Sequence, residues 1–144
     1  MMKRKLSFLE IAAALLNNLR KNTQYNCYDA VPDNTPSPLI FAEVVGKRDS
    51  SSKTMYKETF IAYVHAIAAP GDSRVQIYNM IHDVEEALTE DLVLPDDITF
   101  LFCTETGVQS VQNSSSSFEK DETNEWHAVI GFEITVSYGL KCKT

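Results

Sequence analysis

Three histidines and three cysteines are the residues of this chain best suited to proton transfer or nucleophilic attack. His65, His82 and His127 fall on three different expected elements, and none has a partner at a metal-ligand spacing. His82 next to Asp83 on a helix face reads as a solvated pair. His65 and His127 both fall in strands and are placed to face each other across a sheet. Such a contact is a cross-strand pair before it is a catalytic dyad. Cys103 with either histidine would make a Cys–His nucleophile, but no local signature supports it. Cys27, Cys103 and Cys142 are odd in number, widely spaced and contain no CxxC. A disulfide framework is not expected, and a reducing compartment fits better. Within the apolar run Phe100 to Cys103, the cysteine reads as a small core residue.

Other polar groupings carry no reaction. Glu85 and Glu86 are neighbours on a helix and diverge. Asp96-Asp97 follows Pro95 and reads as a turn. With five glycines, neither a GxGxxG nor a GxxxxGK[ST] phosphate loop occurs. The serines at 114–117 lack a strand-to-helix elbow. No cofactor or metal site is expected.

The 144 residues suit a single domain, 1–144, with 44% hydrophobic and 23% charged residues. A formal net charge of −7 opposes nonspecific attraction to nucleic acid or anionic membrane. Lys3, Arg4 and Lys5 precede an apolar helix. That helix holds Glu10, Asn17 and Asn18 and no small-residue cleavage site, so it is not expected to be a signal peptide. No run is long enough to span a bilayer.

The elements that must position these residues follow from periodicity. Ser7-x-x-Glu10 has the capping-box spacing and opens the first helix, with Leu9, Ala12, Ala13, Leu16 and Leu19 as its apolar stripe, widened by Phe8 and Leu15. Tyr25 to Val31 is expected to be a short strand near an edge. Pro32 to Pro38 is turn-forming, and Leu39 to Val45 is a strand. Lys47 to Lys53 is polar and reads as a mobile hairpin tip. Lys57 to Ala69 returns antiparallel as a central strand, with apolar residues on both faces. Pro70-Gly71 ends it, and Asp72 or Ser73 caps a second helix with the stripe Ile77, Ile81, Val84 and Leu88. Asp83, Glu85 and Glu86 point outward. Ile98 to Thr104 is a strand, and Gly107 to Val111 a further extended piece. Residues 113–124, NSSSSFEKDETN, read as a mobile loop. Trp126 to Tyr138 alternates without a break and forms the last strand. The sum is an α+β fold, a mainly antiparallel sheet with two helices on one face, in the order α-β-β-β-α-β-β-β.

Particular residues on that frame carry a resemblance. They are the strand Pro38-Leu-Ile-Phe-Ala-Glu-Val44, the strand end Ala68-Ala-Pro-Gly-Asp-Ser73, the helix with Val75, Ile81 and Leu88, and the closing strand His127 to Ile134. In this order of elements the chain resembles the tail-completion proteins of tailed bacteriophages and prophages. These include tail terminators and tail-to-head joining proteins. The resemblance spans roughly Leu6 to Leu140. It implies a non-enzymatic virion protein that assembles in the host cytoplasm as a homo-oligomer, typically a hexameric ring. Such a ring caps the head-proximal end of the tail tube and meets the head connector or neck protein. DNA passes through it without specific binding, and no catalytic residue is implied.

Two loops are then candidate assembly interfaces. The residues at issue are Arg48, Asp49, Ser50 and Ser51 in the first, and Ser114, Ser115, Phe118, Glu119, Lys120 and Asp121 in the second. The exposed face of the last strand, with Val129 and Thr135, is a third candidate. Three alternatives stay open. One is a tail-tube or other neck subunit. Another is a small enzyme gathering His65, His127 and Cys103 in a pocket. The last is an adaptor adding a peptide strand at the sheet edge, with Tyr25 to Val31 as that edge.

Overall fold

The computed structural model describes residues 4–29, 36–71, 73–96, 98–113 and 125–140. The elements are α1 (Phe8–Asn22), β1 (Asn26–Tyr28), β2 (Leu39–Asp49), β3 (Met55–Ile67), α2 (Val75–Ala87), β4 (Thr99–Asn113) and β5 (Trp126–Leu140). The strands form one sheet ordered β1-β2-β3-β5-β4. Every pairing is antiparallel except β1 with β2, which is parallel. The expected α+β class, the helices on one face and the central position of β3 are all present.

One face of the sheet is dry. Phe60, Ala62, Val64 and Ala66 of β3 are fully buried beside Ala128, Ile130, Ile134 and Val136 of β5. Their strict alternation is what points them together toward the helices. α1 packs over β1 and β2, and α2 over β3 and β5. The edge-on contact of Phe8 with Phe60, centroids 6.1 Å apart, closes the core beside α1.

Several local expectations change. β4 is one strand of 15 residues, so the described residues hold two strands after α2 and not three. Its register slips between Phe100 and Phe102, Glu105 and Gly107, and Val108 and Ser110. Gly107, at φ 113, takes up one of these irregularities in a conformation that side chains resist, and the strand continues. The interruption in periodicity at Gly107 is therefore a bulge, not a strand end.

The buried side of α1 is Ile11, Ala14, Leu15, Leu16, Asn18 and Leu19. Leu9 is 73% exposed and Ala13 is exposed as well, so the stripe is rotated from the expected one. Leu6, just ahead of the helix, joins the core instead, at 1% exposure. The Ser7–Glu10 capping box forms in both directions, at 3.1 and 3.0 Å.

α2 has Arg74 at its N-cap and no side-chain cap bond. Ser73 Oγ instead accepts from the Val75 amide, and Gln76 Oε1 reaches back to the Ala69 amide at 2.7 Å. Gln76 is thus committed to the end of β3 and does not complete a capping box. Asp72 lies outside the described residues. Met80 joins the expected stripe as a fully buried side chain.

Candidate assembly surfaces

The face of the sheet opposite the helices is built from the alternate residues of the same strands. Phe41 and Glu43 of β2, Ile61, Tyr63, His65 and Ile67 of β3, and His127, Val129 and Glu133 of β5 lie here. No described helix covers it. Its apolar residues are half-buried by their neighbours. The face is uneven: a hairpin tip folds over one end and an imidazole cluster occupies the other.

At the tip, Ser50 Oγ accepts from Thr59 Oγ1 at 3.0 Å, and Thr59 Oγ1 meets Thr135 Oγ1 at 2.9 Å. Ser51 Oγ accepts from the Lys57 amide at 3.0 Å and Asp49 Oδ1 accepts from the Ser51 amide at 2.8 Å. Thr59 and Thr135 are buried beneath the tip, although they sit on the helix-free side. Arg48 forks onto Glu133 at 2.8 and 3.1 Å. The pair raises the guanidinium pKa and lowers that of the carboxylate, the hydrogen bond being the larger cause in each. Lys47, Arg48 and Asp49 are the last residues of β2, so the loop itself is shorter than the expected 47–53. β-branching is absent there, but pairing with Phe60, Thr59 and Glu58 holds these residues in the sheet. Ser114, Ser115, Phe118, Glu119, Lys120 and Asp121 lie outside the described residues.

At the other end, His65 Nδ1 lies 3.0 Å from His127 Nε2, and His65 Nε2 lies 3.2 Å from Glu43 Oε1. Phe41 stacks on His65, with centroids 4.2 Å apart and planes 4° from parallel. Burial, then the His65 charge, lowers the His127 pKa. The expected cross-strand pair therefore forms, oriented by a carboxylate. The thiol does not join it. Cys103 pairs with Ile134 on the helix side of the sheet and packs against the core there. Its pKa is pushed up to about 12 by burial and then by Glu105, the reverse of an activated nucleophile. A sheet separates the sulfur from both imidazoles, so the three-residue pocket required by the enzyme alternative is absent.

The remaining sequence candidates are scattered. His82 Nε2 pairs with Glu86 Oε1 at 3.1 Å along the helix, not with Asp83. Four residues is one helical turn, which brings those two side chains together. Asp83 is half-buried and accepts from the Tyr25 hydroxyl at 3.2 Å. Asp96 turns the chain at φ 58 and accepts from Arg4 Nε at 2.9 Å. Arg4 also pairs with Glu10, whose pKa falls to about 2. Lys5 lies 3.7 Å and Lys47 3.5 Å from the buried Glu58 carboxylate. Tyr138 donates to that same carboxylate at 2.6 Å.

One acidic contact was not singled out by sequence. Glu105 of β4 lies against Glu85 of α2, and burial together with that neighbour lifts its pKa to about 7. Twenty residues separate the two, so only the packing of α2 beside β4 reveals them. Among the described residues no group of three histidine, cysteine or carboxylate side chains could hold a metal. A cavity of about 470 Å³ lies at the start of α2, lined by Tyr25, Pro70, Gln76 and Asn79 among others. Its described lining includes the Ser73 and Tyr25 hydroxyls but no histidine, carboxylate, lysine or cysteine to activate them. Among the described residues, no helix is long and apolar enough to cross a membrane.

Among curated proteins no sequence matches this chain. A solved structure described as the virion of a native gene transfer agent particle contains a chain of similar fold. The TM-score is 0.62 at 18% identity, covering 92% of this chain and 99% of that one. The model of a phage tail terminator family, described as a tail termination protein, matches residues 1–144. The chain therefore belongs to the phage tail terminator family, whose role is structural and lies in tail completion.

Proposed function

We propose that the protein closes the head-proximal end of a phage tail tube as a homo-oligomeric ring, a hexamer, and presents a docking surface to the head connector or neck protein. The match of the family model to the whole chain carries this reading. The fold supports it: a fifteen-residue edge strand and a sheet face without helices are surfaces for protein contacts. The Cys103–His separation supports a role without catalysis.

The ring works by geometry. A closed ring seated on the last tube layer offers no further tube-like surface, so polymerisation stops there. Its other side is free for the connector. The net charge of −7 keeps DNA from adhering as it passes through the centre. The hairpin tip around Arg48 to Ser51 and the segment with Ser114, Phe118 and Lys120 contribute contacts between neighbours or to the tube. Assembly occurs in the host cytoplasm.

The test is a phage or prophage lacking this chain, complemented in trans. Tails of uncontrolled length without heads are expected, and the intact chain should restore length and head attachment. Tails of normal length joined to heads would overturn the reading. Long homopolymers of the purified chain would point instead to a tube subunit. Removing Ser114 to Lys120 should lower the yield of finished tails, and normal infectivity would remove that segment from the interface.

A further inference from the structure

The first helix carries more apolar surface than the core covers. Leu9, Ala13, Asn17 and Lys21 are spaced four apart, so they form one ridge along α1, and all four are exposed. The connection from α2 to β4 runs beside them. Its Leu92 is buried in the core, and Val93 next to it stands outward at 87% exposure. Leu94 and Pro95 follow, half-buried.

Two cavities lie end to end between the ridge and this connection. The wider, about 370 Å³, is walled by Ala13, Ala14, Val93, Leu94 and Pro95, with Glu10 and Asn17 beside them. The narrower, about 80 Å³, shares Ala14, Asn17 and Val93 with it and adds Asn18, Lys21, Glu90 and Asp91. Together they make one groove, apolar toward the start of α1 and polar toward its end. From Leu9 to Lys21 the helix rises about 18 Å, room for a short protein segment.

The polar end lacks a donor. Asn18 is only 6% exposed, and its Nδ2 donates to the Glu90 carbonyl at 3.3 Å. Its Oδ1 is buried with no hydrogen-bond partner. The bond to Glu90 fixes which way the amide faces, so the orphaned atom is the acceptor. An unmet buried acceptor costs stability. Lys21 does not meet it: Glu90 holds that ammonium at 3.3 Å, and the side chain is 69% exposed. Asp91, also exposed, has neither an ion pair nor a hydrogen bond among the described residues.

Apolar walls, an unmet acceptor and an uncompensated carboxylate have one common complement. A lysine side chain lays a methylene stem along the walls and brings an ammonium with three donors to Asn18 and Asp91. A phosphate-bearing partner would meet carboxylates there, with Lys21 already paired.

We propose that this groove docks a segment of another virion protein, with an apolar side chain seated against Val93 and Pro95 and a lysine reaching Asp91 and Asn18. The source of the partner rests on the tail-completion role proposed above; the chemistry of the groove does not.

Two measurements on the full chain test this. In the first, n-butylammonium stands in for the lysine side chain and pentanoate is its anionic counterpart. Butylammonium should shift the NMR signals of the Asn18 side-chain amide and the Val93 methyls saturably, and pentanoate should not. Asp91→Lys, at an exposed position, should weaken that binding about fivefold while melting stays native. In the second, a zero-length carbodiimide applied to finished virions should join Asp91 to a lysine of a different virion protein, and Asp91→Asn should abolish that adduct. No saturable shift, or equal shifts with both ions, would overturn the lysine site and leave a cavity for water only. An Asp91 adduct to the chain's own Lys3 or to a second copy would overturn the choice of partner. Phage that lack the chain yet build normal tails joined to heads would overturn the tail-completion role and the virion partner with it, while the butylammonium result stands or falls on its own.

Discussion

His65 Nδ1 and His127 Nε2 lie 3.0 Å apart on the helix-free face of the sheet, and Glu43 holds the far nitrogen of His65 at 3.2 Å. The two residues are diagonal across β3 and β5, since His65 is registered with Val129 and His127 with Ile67. At this distance the two rings share one hydrogen bond, one nitrogen donating and the other accepting.

That contact makes stability depend on pH. His127 has a lowered pKa in the fold, from burial first and the His65 charge second, with Glu125 opposing. The unfolded chain binds a proton near the ordinary value of 6.5 that the folded chain resists. The contribution is therefore present above 6.5 and is lost as pH falls through the folded value. Urea unfolding at pH 7.5 and 5.5 should show a smaller loss on acidification for His127→Gln than for wild type. Equal losses would contradict it.

Glu105 acts in the opposite direction. Its pKa rises from 4.5 to about 7. The folded chain holds a proton that the unfolded chain releases, so the contribution is full below 4.5 and lost as pH rises through about 7. Glu105→Gln should be more stable than wild type at pH 8 and nearly equal at pH 4.5. Melting curves of both proteins across that range give the check.

Gly131 is fixed by the bulged edge strand beside it. A Cβ there would stand 2.3 Å from Thr106 Oγ1 and 3.3 Å from Gln109 Nε2. Thr106 lies within the register slip of β4, which carries its side chain over the glycine. Gly131→Ala should cost about 1–3 kcal/mol through overpacking. Thr106→Ala in the same chain should recover a large part of that loss, measured by denaturant unfolding.

Phe60 anchors the helix side. It is fully buried, meets Phe8 edge-on, and has Lys47 Nζ 5.7 Å from its centroid. Phe60→Ala should lower unfolding free energy by about 3–5 kcal/mol, the range for removing a buried aromatic ring. A loss below about 1 kcal/mol would mean that the site collapses around the smaller side chain.

The sequence alone determined the local grammar. Unbroken alternation in β5 separated a helix-facing set from a mixed one, and alternation in β3 sorted its residues into two apolar faces, because side chains of a strand alternate with period two. Ser7 and Glu10 specified where α1 starts, because the cap bonds only residues three apart. The element order and the quoted strands pointed to the tail-completion family that the whole-chain match bears out. Periodicity was a weaker guide for α1, where leucine and alanine occupy several faces. Packing on β1 and β2 chose Ile11, Leu15 and Leu19 and left Leu9 in water.

Only the tertiary structure decided what meets across the sheet. The pairing of β3 with β5 brings His65 to His127 over 62 residues of chain, and the two faces of that sheet keep Cys103 away from both. The docking of α2 sets Glu85 against Glu105. Among the described residues, strand order leaves β4 at one edge of the sheet and β1 at the other. None of these is written at fixed spacing, because each depends on which strands pair and on where bulges shift their register, and those choices are made by the whole core at once.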